Sequence, residues 1–315
     1  MLHQSLLELA EQAPHCRDEA TARGILAESH ELLRNAVAHR ADALELTRWY
    51  STLVSDVLHS PAVSDAAGAG VAQIVLTGAI GRGDGLPTSH IHWFTVTGSV
   101  DSDGGRAHAA ITELLESVDL EAAPHEQGLT AAGREEWLRR IREAAARGDA
   151  RQIGLFDDAG SWMREQLLEH LGSALPLLRE AVNHRPPALR AANGLPDREA
   201  AVDIHRDLLT PVSAIARWAG LTGRTRTLST PEQITAAQTN GILTTEEADL
   251  LQQGWKTGLE LQLRRWRDHV VGHESTAEDL TALQRSSYGA ASRGVAGAIR
   301  SLAVRHDIDL AAATF

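Results

Sequence analysis

The chain has 315 residues, a formal charge of −12, 43% hydrophobic and 4% aromatic residues, and a single cysteine, Cys16. That length is enough for two ordinary domains, with leucine, alanine, valine and isoleucine filling the core. The acidic balance argues against broad binding to nucleic acid or anionic membrane; one cysteine excludes an intrachain disulfide framework; and no run of about 18 apolar residues reads as a membrane span.

The opening residues, MLHQSLLELAEQ, have no basic segment and no signal-type apolar run. Together with the cysteine usage this predicts a cytoplasmic protein. Residues 3 to 64 show apolar spacing at i, i+3 and i+4 and predict helices. The texture then changes. VAQIVLT (71–77) is a β-branched run and predicts a buried strand, and HIHWFTVTG (90–98) predicts a second. DSDGG (101–105) reads as a turn, RAHAAITELLESV as a helix, and residues 134–148 as an amphipathic helix with a glycine stop. IGLFDDAG (153–160) is a short apolar-then-acidic element.

From Ser161 onward the pattern is helical, broken by a Pro- and Gly-rich loop at 183–197. Further helices are expected around 198–220, 230–240, 245–272 and 276–307, with Ser229 or Thr230 and Thr244 or Thr245 as N-caps. The expected organisation is a helical region over 1–65, a small α/β domain over 66–160, and a helical domain over 161–315. The fold class is a mostly helical α+β.

Between the two strands lies LTGAIGRGDGLPTSHIHWFTV (76–96), with four glycines in eight residues. It lacks the Gly-Lys-Ser/Thr of a Walker A loop, and the segment after it reads as a strand rather than a helix. Strand, Gly-rich turn, strand is the order found in nucleotidyltransferases of the polymerase-β type. There the loop amides hold the outer phosphates. Two carboxylates at i and i+2 of the next strand face one way and converge on a divalent metal.

On these residues the chain resembles the nucleotidyltransferase domain of the GlnD type, the PII-protein uridylyltransferases and their relatives. Gly78, Ala79, Gly81, Arg82 and Asp84 fall on the family's loop positions, and Ser89 where it has Thr. His90 and His92 fall on the two metal-binding Asp positions. The resemblance continues through EEWLRRI (135–141) and IGLFDDAG, with Asp157 on a family Asp and Ala159 on a lost Arg. Residues 200–221 and 240–266 are similar to the family's C-terminal helical substrate-binding domain, with His205 for a usual Lys and Gln233 for a usual Arg. The resemblance implies a polymerase-β-type sheet followed by a helical bundle. It implies nucleotide contacts at Gly78, Ala79, Gly81, Arg82, Asp84 and Ser89, metal positions at His90 and His92, and a weak catalytic candidate in Asp157.

Replacing two carboxylates by neutral imidazoles removes oxygen ligands and negative charge that Mg²⁺ requires. Three readings of His90 and His92 stay open: lost catalysis on a retained fold, a transition-metal site such as Zn²⁺ helped by Asp84 or Asp157, or ordinary strand residues. Arg82 grips phosphate or is solvated; Asp84 orients the loop, caps it or is solvated; Asp157 and Asp158 supply a third carboxylate or cap a helix. Trp93 reads as core, Arg217 as a structural ion pair, and His269 with His273 as a solvated helix face. His306-Asp307 lacks the partners of a phosphohydrolase site.

The expected function is a degenerate nucleotidyltransferase acting as a nucleotide-sensing or regulatory protein. Its candidate partners are a nucleoside triphosphate, a protein and a second copy of itself, but neither nucleic acid nor membrane. The alternatives are an active UMP or AMP transferase with an unusual metal set, and a helical protein-interaction module.

Overall fold

The computed structural model describes residues 2–68, 71–98, 104–123, 131–192, 195–270 and 275–310. The chain divides into two compact units, Met1–Leu171 and Gly172–Phe315. The protein is a mostly helical α+β fold, and no helix among the described residues is long and apolar enough to cross a membrane.

The first unit opens with α1 (Gln4–Gln12), α2 (Glu19–Ala38), α3 (Ala43–Leu58) and α4 (Pro61–Ala67). Carboxylate caps set the starts of α2 and α3. Asp18 accepts from the Thr21 N–H at 2.8 Å, and Asp42 from those of Leu44 and Glu45 at 2.9 and 3.1 Å. Each satisfies N–H groups that the first helical turn leaves open. The apolar faces close on Leu6, Leu26, Leu33, Leu46 and Leu53, all buried. Trp49 ties α3 to α1 by donating its indole N–H to the Leu6 carbonyl at 2.8 Å.

Strand β1 (Val71–Thr77), helix α5 (Gly78–Arg82) and strand β2 (His92–Thr97) follow. The strand expected at 71–77 is there. The glycine-rich segment is not simply a loop: its first five residues form α5. The second strand starts at His92, with Ile91 in an isolated bridge to Ala122 and His90 before it. After α6 (Gly105–Glu116) comes β3 (Ala131–Gly133). The sheet has the order β1-β2-β3, with β1 antiparallel and β3 parallel to β2, so β1 is an edge. The expected turn at 101–105 falls mostly outside the described residues. The unit ends with α7 (Arg134–Arg147), α8 (Ala150–Asp157) and α9 (Gly160–His170). Phe94, Trp137 and Phe156 meet at ring distances of 4.8 to 6.3 Å and join the sheet to these helices.

The second unit comprises α10 (Leu175–Asn183), the short pair β4 (Ala191–Ala192) and β5 (Leu195–Pro196), and β6 (Ala201–Val202). A π-helical turn at His205–Leu209 leads into α11 (Thr210–Thr222). Then come α12 (Thr230–Thr239), α13 (Thr245–Arg267), β7 (Ser275–Thr276) paired with β6, and α14 (Ala282–Arg305). Thr244 caps α13 in a reciprocal box with Glu247, as the sequence predicts, whereas Ser229 precedes α12 without a side-chain cap.

Candidate functional site

The site expected from the sequence lies where β1 hands over to α5. In the antiparallel register Thr77 stands opposite His92, and the Thr77 hydroxyl donates to the Leu155 carbonyl at 2.7 Å. Gly78 turns the chain with φ at +66°, a left-handed value that glycine adopts at little cost. A methyl group on Gly78 would stand 3.4 Å from Cδ2 of His92, so the imidazole borders the start of the turn. At Gly81 space decides instead: a methyl there would lie 2.3 Å from the Asp158 carbonyl oxygen and 2.6 Å from that of Leu76.

Arg82 does not lie in solvent. Its side chain is 9% exposed and bridges two buried carboxylates, Asp84 at 3.3 Å and Asp158 at 2.5 Å. Burial opposes its charge, but Asp158 and Asp84 outweigh burial and raise its pKa above the ordinary value. Asp84 is buried too, and its N–H closes the turn on the Ala79 carbonyl at 2.8 Å. The solvated readings of Arg82 and Asp84 are therefore corrected, because the guanidinium and both acids form one buried network. Ser89 holds the next turn by accepting the Leu86 N–H at 3.0 Å and donating its own N–H to the Leu86 carbonyl at 2.9 Å. Ala79 sits part-buried within α5.

The two histidines differ. His90 is 54% exposed and its Nδ1 meets Glu121 at 3.0 Å. The His92 ring is less exposed, 6.2 Å from that of His90 and tilted 37° to it. Burial, then the neighbouring His90, push the pKa of His92 below the usual histidine value. The ring is thus neutral at neutral pH. Asp84 and Asp157, the co-ligands considered for a transition metal, are committed elsewhere: Asp84 to Arg82, and Asp157, fully buried at the end of α8, to Arg164. Among the described residues no group of three or more His, Cys, Asp or Glu is placed to hold a metal ion. For Mg²⁺ the donors at 90 and 92 do not fit, being nitrogens without charge where the ion demands oxygen.

Neither Asp157 nor Asp158 is the N-cap of α9; Asp158 is the C-cap of α8. The N-cap of α9 is Ala159, which makes no side-chain cap. Trp93 is core, as expected, stacked on His108 at 5.1 Å. Glu121 and Arg164, the partners of His90 and Asp157, carry no signal in the sequence, and Asp158, read there as a third carboxylate or a cap, is the partner of Arg82; each pairing depends on the folded path.

In the second unit the buried polar centre is Asp207 in the π-helical turn. It accepts the Tyr288 hydroxyl and pairs with Arg206 at 2.9 Å. Burial and this carboxylate push the Tyr288 pKa up. His205 is exposed and meets the Thr210 hydroxyl at 3.1 Å, while Gln233 is buried and donates to the Leu228 carbonyl at 2.6 Å. Arg217 is part-buried on α11. His269 lies beyond the end of α13 with φ at +54°, so it is not on a helix face, and His273 falls outside the described residues. His306 meets the edge of Trp218 at 5.2 Å.

Residues 174–295 match a family model described as "Putative nucleotidyltransferase substrate binding domain". The matched region lies wholly in the second unit. It supports a nucleotidyltransferase-like protein and does not reach the Gly78 turn or the two histidines. No curated protein matches the chain.

Proposed function

We propose that the protein is a degenerate GlnD-like nucleotidyltransferase that binds a nucleoside triphosphate, performs no Mg²⁺-dependent transfer, and acts as a cytoplasmic regulator through a protein partner. The observation that carries this reading is the pairing of Thr77 with His92. It sets a neutral imidazole beside the Gly78 turn, at the place where the resemblance expects a carboxylate.

Phosphoryl and nucleotidyl transfer rely on cations that neutralise the phosphates and the leaving group. Two histidines in place of two carboxylates remove about two negative charges from the cation's surroundings, and Mg²⁺ dehydrates only for oxygen ligands. Phosphate binding would rest on backbone N–H groups of the turn at Gly78, Ala79 and Gly81. Arg82 has the role of holding that turn in shape through Asp84 and Asp158. The match of residues 174–295 to a substrate-binding domain supports the second unit as the part that meets a partner.

The test is a transfer assay with labelled ATP and UTP and Mg²⁺, with the purified protein alone and with a cell extract as acceptor. No label on protein or small acceptor is expected. Robust Mg²⁺-dependent labelling that disappears with Gly78→Val would overturn the reading.

A further inference from the structure

We draw no further inference here: the strongest candidate, the surface patch on α14 marked by Leu283 and Val304, which are 75% and 73% exposed, is an unpartnered apolar face, and nothing in the structure shows what covers it.

Discussion

Arg82 and Asp158, 76 positions apart in the chain, form a buried ion pair that fastens the turn after β1 to the end of α8. Asp84 completes the network from the other side of the guanidinium. Removing the cation leaves two carboxylates in a place with little solvent. Breaking a buried pair from one side costs about 3–5 kcal/mol. Arg82→Leu is therefore expected to lower the unfolding free energy of the first unit by about that amount. Arg82→Lys should recover only part of it, because an ammonium cannot fork between two acids. Urea unfolding followed by a probe in the first unit checks both.

Much of the architecture is legible in the sequence, and the reasons are local. β1 shows as a β-branched run, and the long helices show through their periodicity. Thr244 and Glu247 spell out a capping box within four residues. What escapes local reading is short or non-local. α5 has only five residues, two of them glycine, and carries no period to detect. Asp157 and Asp158 look like a cap because they precede a helix. Their true partners are Arg164, which is buried, and Arg82, on another element. α13 ends at Arg267 rather than 272, because Asp268 leaves the helix and His269 takes a left-handed conformation. Of the candidate site, the positions of Gly78 and His92 were readable from spacing, whereas the commitment of Arg82 to two acids was not.

Gly81 has carbonyl oxygens on both sides. Gly81→Ala would force either α5 or the Asp158 segment to move, since backbone rather than a flexible side chain stands 2.3 Å from the added methyl. Overpacking of this kind costs about 1–3 kcal/mol. The variant should also disturb the Arg82–Asp158 pair, visible as faster amide exchange at residues 158 to 160 in the first unit.

Acid should destabilise the first unit before its carboxylates titrate. His92 and His30 both have pKa values pushed below the usual value, His92 by burial and then His90, His30 by burial and then Arg34. Below about pH 6.5 the unfolded chain takes up protons at these rings that the folded chain resists. The stability they contribute is complete above that pH and falls as the pH drops through it towards the depressed folded values. The urea midpoint should decline between pH 7 and pH 5, and His30→Gln should flatten the decline. A midpoint that rises on acidification over this range would contradict the assignment.

In the second unit the Tyr288 hydroxyl donates to the fully buried Asp207 within the π-helical turn. Tyr288→Phe keeps the ring and removes one donor from a buried carboxylate. The expected loss is about 1–3 kcal/mol, with Arg206 still in place to limit it. Thermal unfolding of the variant measures this, and a change in the far-ultraviolet helix signal is not expected.

The most direct measurement is calorimetric titration of the protein with ATP, UTP, GTP and CTP, each with and without Mg²⁺. A parallel series uses the His90→Asp/His92→Asp double variant. One triphosphate should bind the native chain with the same affinity whether or not Mg²⁺ is present, and the double variant should gain a Mg²⁺-dependent tightening of about tenfold or more. Binding of the native chain that requires Mg²⁺, or no triphosphate binding under any condition, would contradict a nucleotide sensor built on a metal-free transferase site.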